Sequence, residues 1–192
     1  PLPRANFSER DVVRLLAAVD TTEPLGLRDR AILELLYGTG IRNNELCEMR
    51  LNEGDLEHRE VCVRKGKGSK SRMLPLGEEA WAWLEAYLEK ERPNLVKDSG
   101  TMQVFLSWRG RGLEGRSLSQ MVRRTAERAG LEGEVTPHVL RHLCATHMLK
   151  RGAGLRHLQV LLGHESLATT QRYTKLDLTD LRKVMQRCHP RE

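Results

Sequence analysis

The sequence predicts a mainly α fold with a small antiparallel β-sheet, an α+β architecture. Two observations predict it. Apolar residues recur at three- and four-residue spacing along most of the chain, as they do on one face of a helix. One pair of alternating segments, Glu60-Val61-Cys62-Val63-Arg64 and Arg72-Met73-Leu74-Pro75-Leu76, reads as a hairpin. At 192 residues the chain is long enough for one domain with a real core. Hydrophobic residues make up 39% and charged residues 30%, the balance of a globular protein.

Taken in order, residues 1–7 read as a leading arm. Ser8-Glu9-Arg10-Asp11 is a capping-box start, and Val12, Leu15, Leu16 and Val19 form one apolar helix face. Residues 21–25 make a loop with Pro24. A second helix covers residues 27–37, with Ile32, Leu35 and Leu36 apolar and Tyr37 packed. Gly38-Thr39-Gly40 breaks it. A short helix over 42–49 carries Arg42 and Glu45, three apart and able to pair. An ordinary helical ion pair and a phosphate-binding guanidinium held by a carboxylate both fit that spacing.

The hairpin comes next, with Lys65-Gly66-Lys67-Gly68-Ser69-Lys70 as its turn. This is a flexible basic loop whose glycines let the backbone approach a phosphate, but its spacing is not that of a P-loop. Residues 78–91 form an amphipathic helix with Trp81, Leu84 and Leu88 inward, and Trp83 and Tyr87 on a neighbouring stripe. Residues 93–100 read as loop, Val104-Phe105-Leu106 as a short strand, and 109–116 as a basic, glycine-rich loop. A helix over 118–129 presents Arg123 and Arg124 either to solvent or to a nucleic-acid backbone.

The densest chemistry lies between residues 136 and 175. Thr136-Pro137 starts a helix, because threonine caps and proline is tolerated at the first helical position. His138 and Arg141 share a face of it, near a helix N-terminus that favours an anion. Gly152 and Gly154 end it. A further helix covers 155–162, closed by Gly163 in a left-handed turn that fixes His164 just outside. Ser166 suits the cap of another short helix, with Tyr173 near its end. Leu178, Leu181, Met185 and Cys188 mark a final amphipathic helix, residues 176–192, which packs on its own core or docks on a neighbour.

Composition narrows the function classes. The formal net charge is +6 and the pI about 9.4, which suits a polyanionic partner. Aromatic residues are only 4%, too few for a base-stacking platform. His138 and His142 stand four apart, but there is no His-Glu-x-x-His pattern. The cysteines Cys47, Cys62, Cys144 and Cys188 show no metal-ligand spacing, so no metal is expected. Cys62 and Cys144 read as small core residues. No signal peptide and no long apolar run is evident, so the expected location is cytoplasmic, away from membranes.

Three runs together carry a resemblance. His138-x-x-Arg141-His142, Leu161-Leu162-Gly163-His164 and Thr169-Thr170-x-x-Tyr173 resemble the C-terminal motif of the tyrosine recombinase (phage integrase) family, most closely the bacterial Xer-type enzymes. Gly40-Ile41-Arg42-x-x-Glu45-Leu46 is similar to the family's first-arginine box, and Gly66-Lys67-Gly68-x-Lys70 to its lysine hairpin. The resemblance implies a tyrosine recombinase catalytic-domain fold and a DNA-cleaving and rejoining enzyme. It gives catalytic roles to Arg42, Lys67, His138, Arg141, His164 and Tyr173, a supporting role to Glu45, and Lys70 as the alternative to Lys67. It also implies attack by Tyr173 to form a 3′-phosphotyrosine, with no cofactor, metal or ATP. Candidate DNA-backbone contacts are Lys65, Lys70, Arg72, Arg123 and Arg124.

The implied partners are double-stranded DNA in the nucleoid, further protomers in a tetramer, engaged through the C-terminal helix, and an accessory or partner recombinase. The whole of 1–192 corresponds to the family's single C-terminal catalytic domain, without the N-terminal domain that clamps the DNA. A type IB topoisomerase and a non-catalytic DNA-binding module are the competing readings. The compact spacing argues against the first, and the presence of Tyr173 against the second.

Overall fold

The computed structural model describes residues 7–64, 71–163 and 175–191, apart from the side chains of 175–177. Helix α1 (Glu9–Ala17) starts as its sequence demands. The Ser8 hydroxyl accepts from the Asp11 N–H at 3.2 Å, and the Asp11 carboxylate accepts from the Ser8 N–H at 2.9 Å. Val12, Leu15 and Leu16 are its buried stripe.

Helix α2 (Gly26–Thr39) is the axis of the fold. It is buried almost from end to end, and for that reason lacks a polar face. Its buried charges are paired. Arg28 donates to Asp29 and to the Leu106 carbonyl, and Glu34 accepts from Arg30 at 2.9 Å and Arg191 at 2.8 Å. The helix extends past the expected end because Gly40 caps it in the left-handed region, φ +61°, with its N–H on the Leu36 carbonyl. A Cβ at Gly40 would come within 2.5 Å of a Leu162 methyl. Gly40→Ala is therefore expected to lower unfolding free energy by about 2–4 kcal/mol, combining left-handed strain with overpacking. Urea denaturation checks it.

Helix α3 (Asn43–Cys47) is shorter than 42–49, since Arg42 is its extended N-cap at φ −75° and ψ 151°. Strands β1 (Glu60–Val63) and β2 (Arg72–Pro75) pair antiparallel, with Val61 opposite Leu74 and Val63 opposite Arg72. Helix α4 (Glu78–Ala86) runs through a π turn (Tyr87–Glu91) into α5 (Arg92–Leu95). The expected loop at 93–100 therefore begins only after Leu95. Pro93 is accommodated because it falls in the first turn of α5, just after the π turn has reset the hydrogen-bond ladder. Ala80, Leu84, Tyr87 and Arg92 are buried along this rod, while Trp81 and Leu88 pack at its edge.

No strand forms at 104–106. Arg92 draws off the carbonyls of Gln103 and Val104, and Leu106 makes one isolated bridge to Gly112. Phe105 stacks on Tyr87 at 5.3 Å instead. Helix α6 (Gly115–Arg128) starts earlier than predicted, because the Asn43 side-chain amide donates to the Gly115 carbonyl and to the Ser119 hydroxyl, both at 2.9 Å. This fastens the start of α6 to the start of α3.

Helices α7 (Pro137–Lys150), α8 (Leu155–Leu162) and α9 (Lys175–Cys188) complete the description. Helix α9 buries Leu181, Val184, Met185 and Cys188 on its own chain, beside β2, α7 and α8. His189 then donates to the Tyr37 carbonyl at 3.1 Å, and Arg191 reaches Glu34 and Glu79. Cys144 is buried as expected, Cys62 half-buried. Among the described residues no helix is long and apolar enough to cross a membrane.

Candidate active site

The N-terminus of α3 and strand β2 converge on one carboxylate, that of Glu45. It is 6% exposed and accepts four hydrogen bonds. Two come from Arg42, through its backbone N–H at 3.0 Å and its Nη1 at 2.9 Å. Two come from Arg72, whose Nη1 and Nη2 grip both oxygens at 2.9 and 3.0 Å. Burial pushes the Glu45 carboxyl up, but Arg72 and the Arg42 N–H outweigh it and hold it at about 2. Glu45 is thus ionised at any working pH, and its lone pairs are saturated.

The sequence expectation of an Arg42–Glu45 pair is met, with Arg42 39% exposed and the carboxylate inside. Arg72 is a correction. It was expected to lie along a DNA backbone, yet it is buried with both terminal nitrogens on Glu45. The signal was in the strand period: Arg72 and Leu74 stand two apart and so face the same, inward side.

Arg141 arrives from α7. Thr136 caps that helix, accepting from the Val139 N–H at 3.2 Å, and Pro137 follows in the first turn. The Arg141 guanidinium donates to two backbone carbonyls at helix ends, Gly40 after α2 and Leu162, the last residue of α8, the latter at 2.7 Å. Such carbonyls have no partner inside their own helices and carry the negative end of the dipole. Burial, reinforced by the Arg42 guanidinium, pushes Arg141 down to about 10, so it remains a cation near neutral pH. Gly163 follows in the left-handed conformation predicted for it, φ +63°.

His138 lies exposed in the first turn of α7. His142, one turn on, is within 3.5 Å of the Thr146 hydroxyl. Arg123 is exposed and pairs with Glu134 at 2.9 Å, and Arg124 is exposed beside it. Lys65, Lys67, Lys70, His164, Ser166 and Tyr173 lie outside the described residues. Among the described residues no three His, Cys, Asp or Glu side chains are grouped to hold a metal ion.

The chain has three tyrosines. Tyr37 is buried against His147, hydroxyl to Nδ1 at 2.8 Å, and burial pushes its hydroxyl well above the usual tyrosine range. Tyr87 donates to the Val104 carbonyl at 3.1 Å, accepts from the Leu106 N–H at 3.2 Å, and is pushed up to about 12 by burial. Neither is placed to attack an external substrate.

Two guanidiniums hold one carboxylate and a third, that of Arg141, lies within electrostatic reach of it, a surplus of positive charge that suits a phosphodiester. A sequence model of the phage integrase family matches residues 5–179. The chain is 44% identical to the tyrosine recombinase XerD of Pseudomonas aeruginosa over 191 residues, which is 100% of this chain and 63% of that protein. Among solved structures it is similar to XerA recombinase, with 35% identity, a TM-score of 0.77, and coverage of 100% of this chain and 68% of that one. It is also similar to XerH recombinase bound to a palindromic difH substrate in a post-cleavage complex. There the identity is 27% and the TM-score 0.72, over 95% of this chain and 52% of that one. The chain therefore spans less than two thirds of the XerD relative, and the fold is that of tyrosine recombinase catalytic domains.

Proposed function

Because the chain belongs to the phage integrase family, we propose that it is the catalytic part of a site-specific DNA recombinase of the Xer type. The observation that carries this reading is the Arg42 guanidinium held on the buried Glu45–Arg72 pair, with Arg141 close enough to feel the charge of all three. A phosphodiester under attack gathers negative charge on its non-bridging oxygens, and preorganised cations stabilise that charge best. Arg42 and Arg141 fill this role. His138 and His164 add hydrogen bonds to the pentacoordinate phosphorus, and His138 also accepts the tyrosine proton.

Tyr173 is the nucleophile. Its oxygen bonds to phosphorus, the 5′-oxygen leaves, and Lys67 delivers a proton to it. The products are a 3′-phosphotyrosine and a free 5′-hydroxyl, and attack by a 5′-hydroxyl of another strand reverses the step. The bond energy stays in the covalent link, so no ATP is consumed. The burial of Tyr37 and Tyr87 supports Tyr173 as the attacking group.

Double-stranded DNA in the cytoplasm is the substrate, and Lys65, Lys70, Arg123 and Arg124 supply backbone contacts. Protomers act as a tetramer, docking through the face of α9 that its own core leaves exposed, with an accessory or partner recombinase. The XerH complex with difH DNA supports the choice of substrate.

Covalent trapping tests the reading. The protein is mixed in EDTA with nicked duplexes carrying candidate sites, then denatured. An adduct that survives EDTA and disappears in Tyr173→Phe is expected. An adduct that persists in Tyr173→Phe, or no adduct on any duplex, contradicts the reading.

A further inference from the structure

The arginine at the start of β2 is absorbed by none of the roles above. Arg72 is buried and grips Glu45 with both terminal nitrogens, while the same two carboxylate oxygens hold Arg42. Its flat face lies against the turn that closes α8. A Cβ at Gly163 would come within 2.9 Å of the Arg72 Cζ and Nη1, so glycine is what lets the guanidinium lie there. The buried Arg72 Nε has no hydrogen-bond partner among the described residues. A methionine would fill much the same space without burying a charge and an unpaired N–H, so packing alone does not select an arginine here.

The placement of Arg72 gives it a use. It opens β2, two residues before Leu74, and pairs with Val63 at the end of β1. It touches the carboxylate that orients Arg42, and it touches the residue immediately before His164. One rigid planar group thus bridges three segments that are far apart in sequence. A carboxylate bound by Arg42 alone would keep rotational freedom. The second, bidentate guanidinium fixes both oxygens and so fixes the direction from which Glu45 holds Arg42.

We propose that Arg72 is a positioning residue for strand cleavage, which acts through Glu45 to aim the Arg42 guanidinium and ties it to strand β2 and the Gly163 turn. This rests on the recombinase reading. Arg72 makes no contact with DNA. Its influence falls on the rate of adduct formation, not on DNA affinity.

The test is a kinetic double-mutant cycle. Single-turnover adduct formation and DNA affinity are measured for the unsubstituted chain, Arg72→Lys, Arg42→Lys and the double variant. Lysine keeps the charge at 72 but loses the bidentate fork. Arg72→Lys is expected to slow adduct formation by about tenfold or more, to leave DNA affinity within about twofold, and to add no further loss in the Arg42→Lys background. A merely structural residue would slow both backgrounds equally, and that result overturns the proposal, as does a rate equal to the unsubstituted chain. Arg72→Gln runs alongside, and if neither variant folds, Arg72 belongs to the fold alone and the proposal is lost. Failure of the recombinase reading looks different: the unsubstituted chain itself then forms no Tyr173-dependent adduct.

Discussion

Replacing Arg141 with methionine is expected to slow covalent strand cleavage by about 10²–10³-fold or more, the usual cost of removing one preorganised donor from a developing oxyanion. The same change is expected to lower unfolding free energy by about 2–4 kcal/mol, because two buried carbonyls lose their partner. Those carbonyls are Gly40 after α2 and Leu162 at the end of α8, so Arg141 holds the two helix ends together while presenting charge to the site. Single-turnover adduct formation and urea unfolding separate the effects. Cleavage within about tenfold of the unsubstituted chain, with the stability loss intact, would make Arg141 a strap and nothing more.

Glu45→Gln carries the second large effect. In the folded protein the Glu45 carboxyl sits at about 2, against an ordinary 4.5, because Arg72 and the Arg42 N–H overcome the penalty of burial. A carboxyl whose folded pKa is depressed contributes stability above its unfolded value and loses it as pH falls through the folded one. The contribution is ~3 kcal/mol, fully present above about pH 5 and fading toward about pH 2. Glutamine removes it, so the stability gap between protein and variant is expected to be widest at neutral pH and to close on acidification. Denaturant unfolding at a series of pH values reads this directly. A gap that does not change with pH would mean that the ion pair contributes nothing beyond its hydrogen bonds. Cleavage should fall as well, since Arg42 loses the charge that orients it.

Much of the scaffold around this site is legible in the sequence because its positions are fixed by local rules. Thr136-Pro137 had to open a helix and Gly163 had to close one, and both do. Ser8 and Asp11 form the capping box their spacing announces. The hairpin was readable from its alternation. The structure departs from the sequence expectation where a neighbouring turn or a tertiary contact overrides a local signal. Pro93 usually ends a helix, but a π turn just before it allowed a new segment to begin. Residues 104–106 look like a strand, but Arg92 takes the Val104 carbonyl and Arg28 the Leu106 carbonyl that a sheet would need.

Arg72 departs from its sequence expectation for a related reason. A basic residue beside a lysine-rich turn suggests DNA, and only the strand period hints that it faces inward toward Glu45, 27 positions earlier. The roles of Gly40 and Leu162 as acceptors for Arg141 were not readable at all, since backbone carbonyls leave no trace in a sequence. Motif spacing located the charged groups, and tertiary contacts decided which of them are buried.

The most direct measurement is to locate the covalent bond. The denatured protein–DNA adduct is digested with nuclease and protease, and the residual nucleotide is assigned by mass spectrometry. The account predicts a 3′-linked nucleotide on Tyr173, formed in EDTA, with Tyr37 and Tyr87 unmodified. A nucleotide on another residue, or a linkage through the 5′-phosphate, would contradict it.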